Sequence, residues 1–426
     1  MQNDLLADSP FRSFWMAGFE CTDQQNAFGH RVDFLTLTGH LQLLDEDYTA
    51  IRTMNLHTVR EGIRWSQVEK TPYNYDWSTV LTLLQAGRRH GVQQVWDLCH
   101  FGYPDDLTPL HPLFARRFAH LCRAFVAFYR EHCPEETLIV TPINEVSFMS
   151  WLGGDVRGTS PYCVGQGWEV KRGLMRAYIE GVAALREADP TIRILTTEPL
   201  IHIVPRLGAT PTELRRVREF DLNQFQSVDM LAGRLCPELG GRPEYLDLLG
   251  FNYYYDNQWQ HEPRQTLGWA NELHDPRFWP LSALLERAHR RYNRPVVLTE
   301  TSHPGHDRAP WLRMIAHEAA RTLEAGVPLL GVCLYPIIDR PDWDHLTPWH
   351  HAGLWDADTA HPTPGLTRVL HEPSAEALRQ AQEHVADALL QPAELLLPTS
   401  YFLTPCHVLS FRGRSAPAVS PGFRRR

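Results

Sequence analysis

Eight short apolar runs recur along the chain, and between them apolar residues return at every third or fourth position. The runs are FWMAGF (14–19), LHTVREGI (56–63), VQQVWDL (92–98), LIVTPI (138–143), IRILTTE (192–198), LDLLGFNYY (246–254), PVVLTE (295–300) and LLGVCLYPI (329–337). Each has the length and the β-branched or aromatic content of a buried strand. The intervening segments LDEDYTAIRTM, STVLTLLQAGRRHG, HPLFARRFAHLCRAFVAFYREH and VKRGLMRAYIEGVAALREAD carry a helical period. So do TELRRVREFDLNQFQSVDMLAGRL, LSALLERAHRRYN, WLRMIAHEAARTLEAG and AEALRQAQEHVADALL. In the fourth of these, Leu174, Ala177, Tyr178, Gly181, Val182 and Leu185 form one apolar stripe. STVL and PTEL supply hydroxyls suited to N-caps, and Gly91 and Gly326 suit helix stops.

Strictly alternating strand and helix implies parallel strands joined by crossover helices. Eight such units predict an α/β fold, a (β/α)8 TIM barrel in one domain over residues 11–390. A doubly wound dinucleotide-binding sheet is disfavoured, because no GxGxxG turn follows an early strand. Residues 391–426 lose periodicity and are expected to form a C-terminal tail, with Leu395, Leu396 and Leu397 as docking contacts.

Composition narrows the class without changing the fold. The chain has 426 residues, 43% hydrophobic and 21% charged, with a formal net charge of −9 spread along its length. Only the terminal FRRR is markedly basic, so no nucleic-acid partner is expected. No run approaches the length of a membrane span, and the first residues lack a signal-like apolar core. The eight cysteines are scattered without CxxC spacing, which suits reduced core residues of a cytoplasmic protein.

In such a barrel the active site gathers where the strands end. Strand two ends near Arg60, strand three at His100 and strand four at Asn144 and Glu145. Strand six supplies Asn252 and Tyr254, strand seven Glu300, and strand eight runs into YPIIDRPDWDHLTPWHHAGLWD. Glu145 and Glu300 are therefore expected to face each other across the mouth. Glycosidic cleavage needs such a pair: one carboxylic acid to protonate the leaving oxygen, one carboxylate to attack carbon or activate water. Arg60 and Tyr254 are candidates to hold the attacking carboxylate ionised. A lone glutamate at a strand end is commonly an ion-paired surface residue. The TPINE ending at Asn144–Glu145, opposed by TET across the barrel, is what favours catalysis.

These residues resemble a known family. REGIRWSQV is similar to R-F-S-I-x-W-S-R-I, HFGYP to H-W/F-D-L-P, and TPINEV to T-x-N-E-P. GFNYY is similar to G-x-N-Y-Y, LTET to I-T-E-N, and YPIIDRPDW…AGLWD to W-S-L-L-D-N-F-E-W…F-G-L-x-x-V-D. Those are the motifs of family-one glycoside hydrolases, the β-glucosidase-like group of the retaining (β/α)8 clan, and the resemblance runs from about Phe14 to about Asp356. It implies Glu145 as acid/base, Glu300 as nucleophile supported by Tyr254 and Arg60, and His100, Asn144 and Asn252 as sugar ligands. Tyr335, Asp342 and Trp343 fall where the family places a sugar-ring floor and outer-hydroxyl ligands.

The departures fall mainly at that outer end. Val146 and Thr301–Ser302 replace residues beside the two glutamates, Tyr335 replaces a tryptophan, and Asp342 replaces a glutamate. Glu20, Asp23 and Gln24 compete for the role of first-strand sugar ligand. The strand-eight loop lacks the serine and lysine of a phosphosugar site, so an unphosphorylated glycoside or oligosaccharide is expected, with no cofactor or metal. His345, His350 and His351 lack metal-site spacing. Trp343, Trp349 and Trp355 suit either a core or a stacking platform. A transglycosidase with the same residues, a catalytically silent carbohydrate-binding barrel and a phosphate-binding barrel enzyme remain as alternatives, and self-association is left open.

Overall fold

The computed structural model describes residues 9–270, 275–357 and 367–390; the predicted tail at 391–426 lies outside the described residues. All eight apolar runs form strands of one parallel sheet: β1 (Trp15–Gly18), β2 (Thr58–Gly62), β3 (Gln93–Asp97), β4 (Ile139–Thr141), β5, β6 (Leu249–Asn252), β7 (Val296–Thr301) and β8 (Leu329–Leu334). Strand β5 is interrupted. Its first piece, Arg193–Ile194, pairs with β4, and its second, Glu198–Pro199, pairs with β6, with Leu195 bridging to Leu248 between them. The two edges of the sheet are thus the same stretch of chain, and the sheet closes on itself as a (β/α)8 barrel.

Apart from two four-residue turns at Phe34–Leu37 and Trp65–Val68, the described α-helices are α1 (Leu44–Thr53), α2 (Ser78–His90), α3 (Phe114–His132), α4 (Val146–Gly154), α5 (Gly167–Ala188), α6 (Pro211–Leu222), α7 (Gln226–Leu231), α8 (Leu281–Tyr292), α9 (Arg308–Glu324) and α10 (Glu372–Leu390). Helix α4 was not foreseen, and the single helix expected from Thr212 breaks into α6 and α7 around a 3-10 turn at Asn223–Phe225. Gly91 ends α2 in the left-handed region at φ 63°, as expected. The N-caps differ: Ser78 lies inside α2, and Thr210, ahead of the PTEL segment, caps α6 in a reciprocal box with Glu213. None of the seven described cysteines is in a disulfide, and no described helix is long and apolar enough to cross a membrane.

Alternation along the strands sorts side chains into two cores. Met16, Val95, Ile139, Leu195, Leu248, Val297, Leu330 and Cys333 fill the barrel interior over Phe11, while their neighbours pack outward against the helices. The alternation is broken in β8, where Leu330 and Cys333 both face inward, and again in β7. Leu298 pairs with Phe251, but Glu300 pairs with Asn252, so β7 spends two residues against one of β6. By strict alternation from Val297, Glu300 would face the helices; this bulge turns it inward beside Asn252.

A buried ionic cluster backs β1 and β2. His40 Nδ1 lies 2.8 Å from Asp47 and Nε2 3.0 Å from Glu61. Tyr48 donates to Glu61 at 2.7 Å, and Arg368 makes two bonds to Asp47. Burial opposes a charge on His40, yet Glu61 and Asp47 outweigh it and push its pKa up to about 9. Because the folded pKa exceeds the unfolded one, this stabilisation is complete below about pH 6.5 and is lost as pH rises through about 9. The group contributes roughly 3 kcal/mol over that window. Denaturant melts at pH 6.5 and 9.5 should show this loss in the wild type and a flatter profile in His40→Gln; equal slopes would contradict it.

Candidate active site

At the C-terminal mouth the inward residues of successive strands meet. Arg60, on β2 and 1% exposed, reaches from one side of the barrel to the other. Its Nη1 donates to Glu300 Oε1 at 2.9 Å and to the Thr299 carbonyl at 2.8 Å. Its Nη2 donates to Asp97 Oδ2 at 2.6 Å and to Asn144 Oδ1 at 3.2 Å. The hydroxyl of Tyr254 donates to Glu300 Oε2 at 2.8 Å. Each oxygen of Glu300 therefore has a fixed donor, one of them cationic, which aims the carboxyl group.

Glu145 is built differently. It is the N-cap of α4, with φ 46° and ψ 57°, a left-handed backbone that costs a glutamate about 1–2 kcal/mol. Three contacts hold it there. Its N–H donates to the Thr197 carbonyl at 2.8 Å, its carbonyl accepts from the Met149 N–H at 2.8 Å, and Asn252 Nδ2 donates to its Oε1 at 2.9 Å. Asn252 is oriented in turn by Thr299, whose hydroxyl donates to its Oδ1 at 2.7 Å. Burial, then the charge of Glu300 and that of Glu198, hold the Glu145 pKa well above the usual carboxylate range, against the opposing pull of Asn252 and Arg60. One carboxyl is thus clamped by a cation and a phenol, while its neighbour has a raised pKa.

The other predicted residues converge on the same cavity, of about 660 Å3, lined by Glu20, His100, Glu145, Tyr254, Glu300, Tyr335, Asp342 and Trp343 among others. His100 Nδ1 lies 2.8 Å from Asp97. Burial opposes a charge on His100, but Asp97 and Glu20 outweigh it and raise its pKa. Tyr335 is not simply a floor. Its hydroxyl sits 3.2 Å from His100 Nε2 and donates to Glu20 Oε1 at 3.2 Å, so the nitrogen expected to meet a sugar already has a protein partner. Gly18 permits this, since a Cβ there would stand 2.2 Å from the Tyr335 ring. Asp342 lines the cavity while its Oδ1 accepts the N–H groups of Asp344 and His345.

Of the three first-strand candidates, Glu20 and Gln24 line the cavity, whereas Asp23 is buried with its Oδ2 accepting from Ser66 N–H. Burial works against ionisation of Glu20, but Arg340, whose Nε lies 3.1 Å from Glu20 Oε2, outweighs it with His100 and Thr22 and lowers its pKa. Sequence reasoning missed Asp97, Glu198 and Arg340. Asp97 and Glu198 close two of the apolar runs, and that placement was the available signal. His350 lines the cavity and is pushed down to about 4 by burial and Arg340. His351 instead lies 3.4 Å from Asp356 and 3.7 Å from Asp339, acidic neighbours its spacing did not reveal, with Arg308 already paired to Asp356 at 2.8 Å.

No protein-family model and no curated protein sequence matches the chain. Solved structures do. A family 1 β-glucosidase from Thermotoga maritima matches with a TM-score of 0.66 at 15% identity, covering 88% of this chain and 99% of that one. The β-glucosidase of the same organism in complex with glucoimidazole matches at 0.67 and 15%, covering 87% and 98%. An enzyme from Alicyclobacillus herbarius, named AHE, matches at 0.69 and 15%, covering 89% and 98%. The chain has the fold of the family 1 β-glucosidases over nearly its whole described length.

Proposed function

We propose that this chain is a retaining β-glycosidase that hydrolyses a small, unphosphorylated β-linked glycoside. The observation that carries the reading is the contrast between its two opposed carboxyls. Glu300 is held by Arg60 and Tyr254, whereas burial and Glu300's charge hold the Glu145 pKa well above the usual carboxylate range. In the first step a Glu300 oxygen bonds to the anomeric carbon as the glycosidic C–O bond breaks, and Glu145 gives its proton to the departing oxygen. Water then attacks the same carbon, Glu145 takes its proton, and Glu300 leaves as a carboxylate. The cavity volume suits a small glycoside. Its outer wall, where Glu20 pairs with Arg340 beside Asp342, is where the sugar is chosen. The β-glucosidase of Thermotoga maritima has been solved with glucoimidazole and with deoxynojirimycin, which supports a small sugar here.

A panel of nitrophenyl glycosides varied in sugar and anomer tests the reading. Turnover is expected for β-anomers only. A dinitrophenyl 2-deoxy-2-fluoro-β-glycoside of the best sugar should add one fluorosugar to the peptide bearing Glu300. Turnover of α-anomers alone would contradict the proposal, and binding without turnover or trapping would favour a silent carbohydrate-binding barrel.

A further inference from the structure

Glu198 is a buried carboxylate beside the first turn of α4 to which the double displacement assigns no task. It lies on the second piece of β5, is 3% exposed, and is one residue beyond Thr197, whose carbonyl accepts the Glu145 N–H. Its Oε2 accepts the N–H of Ser147 at 3.2 Å, two residues after Glu145, in the first turn of α4. Those first-turn N–H groups have no partner within the helix and carry its positive end, so a carboxylate there anchors the turn. Two neighbouring contacts of β5 thus hold the backbone on either side of Glu145, which sits in a strained left-handed conformation.

We infer that Glu198 is a positioning residue for the proton donor: through the first turn of α4 it fixes where the Glu145 carboxyl points. The inference rests on the reading of Glu145 as acid/base. A second effect runs through charge. The charged groups acting on Glu145 are Glu300 from β7, Glu198 from β5 and Arg60 from β2; Glu198 and Glu300 raise its pKa and Arg60 lowers it. The pKa of Glu198 is itself raised by burial, against the opposing bonds from Ser147 and Val146 and the charge of Lys171 on α5.

The test compares Glu198→Gln, Glu198→Ala and Glu145→Ala on β-glycosides of graded leaving group, from alkyl through phenyl to 2,4-dinitrophenyl. A misaimed acid penalises poor leaving groups, which need the proton, and spares good ones. Glu198→Ala should lose about ten- to a hundredfold in kcat/KM on alkyl glycosides and far less on the dinitrophenyl glycoside. Glu198→Gln keeps an acceptor for Ser147 and should lose less, but with the charge gone its alkaline limb of kcat/KM should move to lower pH. It also serves as the folded control should the alanine variant fail to fold. A Glu198 series that falls equally on all leaving groups, or an alkaline limb unmoved in Glu198→Gln, would overturn the inference while a steep Glu145→Ala series left the acid/base reading standing. A flat Glu145→Ala series would overturn that reading itself.

Discussion

Glu300→Gln is expected to abolish turnover of every β-glycoside, by about 10^4-fold or more, with the fold intact. The substitution is nearly isosteric. The amide can still face Tyr254, and Arg60 keeps Asp97, Asn144 and the Thr299 carbonyl as partners, so no buried cation is abandoned. What is lost is a charged oxygen able to bond to the anomeric carbon. Even the dinitrophenyl substrate, which needs no acid, should fail, because the first step cannot begin. Initial rates together with a thermal melt check this, and full activity in a well-folded Glu300→Gln would remove the nucleophile assignment.

Glu145→Ala should behave in the opposite way towards its substrates. General acid assistance is worth about 10^2–10^4-fold, so alkyl glycosides should lose that much while the dinitrophenyl glycoside still forms the covalent intermediate. Breakdown of that intermediate also needs Glu145, as base, so the steady-state rate should be limited by it. Azide, already anionic and small enough for the vacated carboxyl site, should restore turnover and yield a β-glycosyl azide. An α-glycosyl azide, or no rescue with unchanged dinitrophenyl kinetics, would contradict double displacement. The two substitutions also differ in pH response. Without the Glu300 charge the Glu145 pKa should fall, since that charge is the largest influence raising it after burial.

Most of this architecture was legible because its cause is local. Buried parallel strands must be apolar on both faces, and crossover helices must carry one apolar stripe, so the eight units declare themselves in sequence. The polar endings at Arg60, His100, Asn144–Glu145, Asn252 and Glu300 stand out against those runs; His100, Glu145 and Glu300 line one cavity, while Arg60, Asn144 and Asn252 are buried behind it and hydrogen-bonded to one another or to the two glutamates. Partners distant in sequence were harder. Asp97 and Glu198 carry no signal beyond their place near the ends of two apolar runs, since only closure of the ring shows that one meets both Arg60 and His100 and the other meets Ser147. Tyr335 looked like a floor because a ring can stack, but its hydroxyl goes to His100 and Glu20, two contacts that need β1, β3 and β8 side by side.

What the sequence determined by itself was the alternation of strand and helix and the placing of two glutamates at strand ends, because both follow from patterns a few residues long. What only the tertiary structure decided was which way those glutamates face and what surrounds them. Strict alternation points Glu300 away from the mouth, and the extra residue of β7 opposite β6 turns it in. The Glu145 pKa is raised because a closed barrel buries it beside two carboxyl groups distant in sequence, Glu300 and Glu198. Charge and burial act through space, and the chain fixes those distances only when it closes.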